Sequence, residues 1–98
     1  MHNKPSQVLA EKRQLILDII SRYPVENPRV FGSVAKGTDT ESSDLDILVD
    51  TLPTTSMFHM GGLYQELHDA LGIDLDVRCP GDISRQFRDQ VLSEARPL

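Results

Sequence analysis

Two carboxylates at the start of one short apolar segment constrain this chain more than any other feature of its sequence. Leu45 to Val49 is the clearest predicted strand, and Asp44 and Asp46 stand on either side of its first residue. Because strand side chains point alternately to opposite faces, the two acids share one face while Leu45 and Ile47 enter the core. Two acids on one face with no base between them repel each other, so the pattern predicts either a well-solvated face or a bound cation.

A glycine-serine step upstream favours the bound cation. Gly32-Ser33 ends a shorter apolar strand, Arg29 to Phe31, and ten residues separate it from Asp44. Glycine lets the backbone approach a phosphate closely, and the following N–H groups and the Ser hydroxyl can bind its oxygens. Residues 34–43 are polar and indicate a loop, with room for one helical turn after Ser33. Because Mg²⁺ takes one or two carboxylates together with substrate phosphates, the two motifs predict a metal-bound phosphate site.

Composition and charge limit the classes of protein that remain. The 98 residues, 39% of them hydrophobic, predict one domain spanning residues 1–98 with one modest core. The net charge of −5 argues against direct nucleic-acid binding, which needs clustered Lys and Arg. Cys79 is the only cysteine, which excludes an intramolecular disulfide and a Cys-rich metal site. With no signal peptide and no membrane-spanning apolar segment, we expect a soluble cytoplasmic protein without a membrane partner.

The order of the predicted elements indicates the fold class. Apolar spacing and turn residues predict, besides the two strands above, helices Ser6–Arg22, Met57–Leu71 and Ser84–Ala95 and strand Ile73–Arg78. Ser6 is the expected N-cap of the first helix. Phe87, Val91 and Leu92 are expected to face inward from the last helix. The order helix, strand, helical turn, strand, helix, strand, helix predicts an α/β fold in which helices flank a small mixed sheet.

Together these motifs resemble those of a known family. Gly32-Ser33, the ten-residue spacing and Asp44-Leu45-Asp46 resemble the signature of the DNA polymerase β-like nucleotidyltransferase superfamily. The segments that are similar to its minimal nucleotidyltransferase (MNT) branch are residues 31–37, 43–49, 71–77 and 93–98. The resemblance covers nearly the whole chain and implies the polymerase β-like nucleotidyltransferase fold.

The resemblance also implies a role for each site residue. Asp44 and Asp46 would bind the Mg²⁺ ions that accompany a nucleoside triphosphate, and Gly32 and Ser33 would hold its terminal phosphates. The third carboxylate of the superfamily lies on the strand after the second long helix, where Asp76 matches it. Asp76 would help to hold the catalytic metal and assist deprotonation of the attacking hydroxyl. Two metals that clamp an in-line displacement at the α-phosphate are the general mechanism of such sites.

The strand that carries the third carboxylate offers two acids. Asp74 and Asp76 share its polar face, but members of the branch place one acid between two apolar residues, as Leu75-Asp76-Val77 does. Asp76 is therefore the predicted ligand. Arg78 departs from the apolar residue that is usual in relatives. It could pair with an acid or touch phosphate, and an ordinary exposed strand arginine is the simpler interpretation.

Lys36 is a further candidate for nucleotide binding. It lies three residues after Ser33, on the phosphate side of the loop. It could neutralise triphosphate charge, which this acidic chain otherwise does little to offset. A solvated loop lysine is the alternative interpretation, and the sequence does not decide between them.

The resemblance implies a partner as well as an activity. Larger relatives carry a further helical domain that helps to bind the nucleobase and the second substrate. We expect this chain to lack that domain, so a partner or another copy of the chain is expected to supply these functions. In the MNT branch the neighbouring gene commonly encodes a HEPN-domain ribonuclease toxin. The MNT protein then acts as antitoxin by adenylylating a tyrosine of that toxin with ATP and Mg²⁺. We therefore expect a protein adenylyltransferase antitoxin in a hetero-oligomer with a HEPN toxin.

Two alternatives remain open from the sequence. One is a non-catalytic antitoxin that blocks its toxin by binding, which loss of a carboxylate would have favoured. The other is a nucleotidyltransferase that acts on a small-molecule hydroxyl, as antibiotic-modifying members of the superfamily do. Nucleic-acid polymerisation is disfavoured because the sequence has no basic patch to grip a strand.

Overall fold

The computed structural model describes residues 3–98 and places its strands in one four-stranded mixed sheet. The helices and strands, in chain order, are α1 (Pro5–Ile20), β1 (Val25–Phe31), α2 (Gly32–Lys36), β2 (Leu45–Thr51), α3 (Met57–Leu71), β3 (Leu75–Arg78), α4 (Arg85–Glu94) and β4 (Arg96–Pro97). A 3₁₀ turn at Pro80–Asp82 precedes α4. The predicted fold class, an α/β fold with helices flanking a small mixed sheet, is confirmed. Within residues 3–98 no helix is long and apolar enough to cross a membrane.

The sheet topology brings three strand ends to one edge. The strand order is β3-β2-β1-β4, with β2 parallel to β3 and β1 antiparallel to both β2 and β4. α3 connects the parallel pair, because parallel neighbours need a crossover connection. Since β1 is antiparallel to β2, the end of β1 and the beginnings of β2 and β3 lie at the same edge of the sheet. Gly32 follows β1 at this edge, which we call the site edge.

One face of the sheet forms the core with α1 and α3. Leu45, Ile47 and Val49 of β2 are fully buried on this face. The helices contribute Val8, Leu9, Ile16, Ile19 and Ile20 from α1 and Leu63, Leu67 and Leu71 from α3. Because strand side chains alternate, Asp46 faces the opposite side of the sheet, as predicted.

The first helix and the first strand begin earlier than predicted. α1 begins at Pro5 with Lys4 as its N-cap, so the prediction of Ser6 as N-cap was wrong. Proline suits the first helical position, where a backbone N–H has no partner within the helix. β1 begins at Val25, and Pro28 lies inside it at the point where the pairing with β2 is irregular. A strand tolerates proline at such an irregularity because no ladder N–H is required there.

The C-terminal part differs from the predicted arrangement in two respects. Phe87 and Leu92 of α4 are 55% and 39% exposed, so the prediction that they face inward was wrong. β4 was not predicted either, and its two residues pair with Arg29 and Val30 of β1. The helical turn predicted after Ser33 is present as α2, and the other predicted elements end within about two residues of the observed ones.

Candidate active site

The site edge brings together residues that are far apart in sequence. Phe31, the last residue of β1, is paired with Asp46 of β2, and Asp46 is paired with Asp76 of β3. Neighbouring strands lie about 4.8 Å apart, so the start of the Gly32 turn and the two carboxylate-bearing residues are immediate neighbours. Asp44 lies just before β2 and is exposed. The predicted phosphate-binding step and the three predicted metal ligands therefore lie at one edge of the sheet.

Gly32 is held against the carboxylate of Asp46. Its φ is +68°, in the left-handed region that side chains disfavour. A Cβ built on Gly32 would overlap Oδ2 of Asp46 and stand 3.2 Å from its Cγ. The position therefore requires glycine both for its backbone conformation and for the space that the carboxylate occupies.

The chain after Gly32 turns at once into the short helix α2. The first N–H groups of a helix have no partners within it, so the backbone after Gly32 offers donors at the site edge. Ser33 follows at the second position of α2 and is half-buried there. Gly37 ends the helix in the left-handed conformation, with φ +73°. This strand-to-helix turn is the local structure that the Gly32-Ser33 motif predicted.

Crowding of carboxylates changes the acidity of Asp46. Burial, and then the neighbouring charges of Asp76 and Asp44, raise the pKa of Asp46 from 3.8 to about 6, while the charge of Arg78 opposes the change. All three causes that raise the pKa disfavour a second negative charge at this edge. A bound cation would remove this penalty, so the acidity of Asp46 fits a metal site.

Asp76 is paired with Arg78 on the same strand. Nε of Arg78 donates to Oδ2 of Asp76 at 2.8 Å, and the two side chains are 48% and 40% exposed. The hydrogen bond and charge of Asp76, followed by the charges of Asp46 and Asp82, raise the pKa of Arg78. The acid pairing that the sequence analysis left open for Arg78 is therefore the observed one.

The residues at the site edge suit a hard, oxygen-seeking cation. No three His, Cys, Asp or Glu side chains converge on one point within the described residues 3–98. Asp46 and Asp76 nevertheless come from paired positions, and Mg²⁺ needs only one or two carboxylates when substrate phosphates supply further ligands. The donor set is all carboxylate, which matches Mg²⁺ and excludes a thiolate- or imidazole-bound metal.

Two other candidate residues have roles away from the paired acids. Lys36 ends α2, and its Nζ lies 3.6 Å from Oε2 of Glu94. Its contact with phosphate stays a prediction. Asp74 precedes β3, and its carbonyl accepts a hydrogen bond of 3.0 Å from the N–H of Leu45. This bond ties the starts of β2 and β3 together at the site edge.

Asp39 has a structural role that was not predicted from the sequence. This carboxylate is 8% exposed and accepts a hydrogen bond of 2.9 Å from the N–H of Ser6, near the start of α1. Burial opposes ionisation, but the hydrogen bonds from Ser6, the backbone of Asp39 itself and the charge of Lys4 together outweigh it and lower the pKa of Asp39. Asp39 thus fixes the loop that leads to Asp44. No local signal identifies such a contact, because its partners are 33 positions apart.

This geometry belongs to a nucleotidyltransferase. The family model "Polymerase beta, Nucleotidyltransferase" matches residues 14–98, and the chain therefore belongs to that family. Within the family it is a minimal nucleotidyltransferase domain. The resemblance seen in the sequence is confirmed, and so is the expectation of an enzyme of this class.

One relative and two solved structures show which known proteins this chain is similar to. A relative from Methanocaldococcus jannaschii, described as a "putative protein adenylyltransferase", is 33% identical over 85 residues, which are 87% of this chain and 91% of the relative. A solved structure of a "putative minimal nucleotidyltransferase" has a TM-score of 0.83 at 34% identity and covers 95% of both chains. A solved toxin–antitoxin structure with AMP-PNP has a TM-score of 0.72 at 26% identity, covering 86% of this chain and 69% of that one.

Proposed function

We propose that this chain transfers AMP from ATP to a tyrosine of a HEPN-domain ribonuclease toxin and thereby acts as its antitoxin. The observation that carries this proposal is the pairing of Phe31, Asp46 and Asp76 across three strands, which puts the Gly32 turn beside two carboxylates. The names of the relatives support adenylyl transfer to protein, and the similar toxin–antitoxin structure with AMP-PNP supports a toxin partner.

Each site residue has a role in this reaction. Mg²⁺ held by Asp44, Asp46 and Asp76 would neutralise the triphosphate and polarise its α-phosphorus, in the two-metal arrangement common to such enzymes. The backbone of Gly32 and the hydroxyl of Ser33 would bind the terminal phosphates, because they begin a helix at the site edge.

The transfer itself breaks one bond and forms one. The phenolic oxygen of the tyrosine attacks the α-phosphorus of ATP, and the bond from that phosphorus to the bridging oxygen of the β-phosphate breaks. Pyrophosphate leaves with the electron pair of that bond, and the phenolic proton passes to Asp76. Lys36 would offset pyrophosphate charge once it releases Glu94, from which it is 3.6 Å away and with which it forms a half-exposed pair.

A protein partner also fits the surface of the chain. Met57 and Phe58 are adjacent at the start of α3 and are 89% and 92% exposed. Exposed large apolar side chains that lie together are typical of surfaces that another protein covers. We propose a hetero-oligomer with the HEPN toxin, and ATP as the nucleotide donor, in the cytoplasm.

Intact-mass spectrometry tests the proposal directly. The HEPN-type protein encoded beside this chain is incubated with the chain, ATP and Mg²⁺, and Asp46→Asn serves as the inactive control. We expect the toxin to gain the mass of AMP only with the wild-type chain, and digestion to locate the AMP on tyrosine. A toxin that is inhibited in a tight complex without added mass would refute catalysis and leave a binding antitoxin.

A further inference from the structure

Arg78 lies beside a carboxylate that is proposed to bind a metal ion. It lies two residues after Asp76 on β3, so both side chains project from the same face of the strand. Its Nε donates to Oδ2 of Asp76 at 2.8 Å, which occupies one of the two ligand oxygens of that carboxylate. An acid that is proposed to hold a metal is thus already engaged by a cation of the chain itself.

Arg78 is also attracted by acids other than Asp76. Asp46 and Asp82 both contribute to the negative potential around its guanidinium. Asp46 is itself paired with Asp76 in the sheet, two residues along the strands from the pair of Leu48 with Arg78. The guanidinium is therefore attracted by Asp46 as well as by Asp76, with which it is paired.

The neighbouring basic residues are engaged elsewhere. Nη1 of Arg29 on β1 lies 3.1 Å from Oδ1 of Asp50, and Nζ of Lys36 on α2 lies 3.6 Å from Oε2 of Glu94. Within residues 3–98, the ion pairs leave Arg78 as the basic side chain that contacts a proposed metal ligand. Arg78 is therefore the basic residue that can act as counter-ion to these carboxylates.

We propose that Arg78 is a resident counter-ion of Asp76, which a divalent cation must displace in order to complete its ligand set. The proposal rests on the proposed function only in placing the metal at these carboxylates. A half-exposed ion pair is weak enough to exchange, so Arg78 does not prevent metal binding. Arg78 does compete with metal binding, both by occupying Oδ2 of Asp76 and by repelling a second cation.

This competition should weaken the binding of a free cation more than the binding of a cation that is already on a nucleotide. A free cation gains only the carboxylates and must still displace the guanidinium. A cation on ATP brings phosphate oxygens and negative charge, which the displaced guanidinium can then attract. Arg78 is thus a positioning residue that favours loading of the metal together with the nucleotide over loading of the metal alone.

Titration with Mn²⁺, followed by electron paramagnetic resonance of the free ion, tests the proposal without measuring activity. The full metal-stripped chain is titrated without nucleotide, as wild type and as Arg78→Gln. Arg13→Gln is the matched control, because Arg13 is exposed on α1 and its loss changes the net charge equally. Asp46→Asn reports whether the ion binds at the site edge. Each titration is repeated with AMP-PNP present.

We expect Arg78→Gln to bind free Mn²⁺ about three- to tenfold more tightly than Arg13→Gln does. With AMP-PNP the gain should shrink below about threefold, because loss of the guanidinium then also removes an attraction for phosphate. Arg78→Lys keeps the charge but not the planar fork of donors, so it should fall between wild type and Arg78→Gln. If circular dichroism shows Arg78→Gln to be unfolded, the Mn²⁺ affinity of Arg78→Lys is compared with that of the wild type instead.

Two results would overturn the proposal in different ways. Free Mn²⁺ affinity equal in Arg78→Gln and Arg13→Gln, with binding still lost in Asp46→Asn, would refute the counter-ion role and leave the proposed function standing. Binding of Mn²⁺ that is unaffected by Asp46→Asn, with and without AMP-PNP, would refute the metal site itself. In that case the proposed function and the role of Arg78 fail together.

Discussion

Replacing Asp46 with asparagine should stabilise the metal-free protein while abolishing its activity. In the folded chain the ionised carboxylate of Asp46 is half-buried beside Asp76 and Asp44, whereas in the unfolded chain water solvates it. The raised pKa measures this difference, because the folded state favours the protonated form. Asparagine has nearly the same shape as that protonated form and carries no charge. The variant therefore avoids the free-energy cost of holding a negative charge at this half-buried position.

The size and pH range of this effect follow from the pKa. A rise from 3.8 to about 6 corresponds to at most about 3 kcal/mol, and screening at a half-buried group reduces this to about 1–2 kcal/mol. Since the folded pKa of Asp46 is the higher one, the folded state holds more protons between about pH 4 and pH 6. The free energy of unfolding of the wild type therefore falls, relative to Asp46→Asn, as the pH rises through this window, and the difference then stays constant.

Urea unfolding in the presence of EDTA measures the difference. We expect Asp46→Asn to exceed the wild type by about 1–2 kcal/mol at pH 8 and by much less at pH 4.5. Asp89→Asn is the matched control, since Asp89 is exposed on α4 and does not contribute to the pKa of Asp46, so the same chemical change there should leave the free energy of unfolding within about 0.5 kcal/mol of the wild type. A variant that is less stable than the wild type at pH 8, or a difference that does not depend on pH, would refute the reasoning.

Two further predictions concern the turn at Gly32 and the loop that Asp39 holds. Gly32→Ala and Gly37→Ala both put a side chain at positive φ, so each should lower the free energy of unfolding by about 1–2 kcal/mol, but only at Gly32 does the Cβ overlap Asp46. Gly32→Ala alone should therefore lose binding of Mn²⁺ with AMP-PNP, and equal binding by both variants would contradict the close approach. Asp39→Asn should lower the free energy of unfolding by about 1–2 kcal/mol at pH 7, as urea unfolding would show. Because the folded pKa of Asp39 is lowered, this loss should vanish as the pH falls below about 4, and an equal loss at the exposed control Asp89→Asn would contradict the role of Asp39.

The site edge was predictable because its signals are local. The alternation around Asp46 fixes which face of β2 carries the acids, whatever the rest of the chain does. Gly32 marks a turn that begins a helix, and the short loop after it requires β1 and β2 to be neighbours. Asp76 was chosen over Asp74 because members of the MNT branch place one acid between two apolar residues, and the structure pairs Asp76 with Asp46. The first two steps use only contacts between residues that are close in sequence or lie on adjacent strands, and the third also needs the family resemblance.

The parts that could not be predicted depend on distant contacts. β4 has two residues, too few for a periodic pattern, and exists because Arg96 and Pro97 meet β1. The inward orientation expected for Phe87 failed because an amphipathic pattern shows that a helix has an apolar face but not that another element covers it. The bond from Ser6 to Asp39 joins residues that no local rule connects.

The charges at the site edge are better explained by function than by stability. A domain of this size has only about 5–15 kcal/mol of net stability, so a crowded carboxylate that costs about 1–2 kcal/mol is a substantial loss. Nothing in the core requires it, since Leu45 and Ile47 would be buried as well beside a neutral residue at position 46. A strand that buries Leu45 and Ile47, and still places Asp46 opposite Asp76, retains an unfavourable pair that a cation would make favourable. The penalty in the metal-free protein thus supports the proposal that these carboxylates bind a cation.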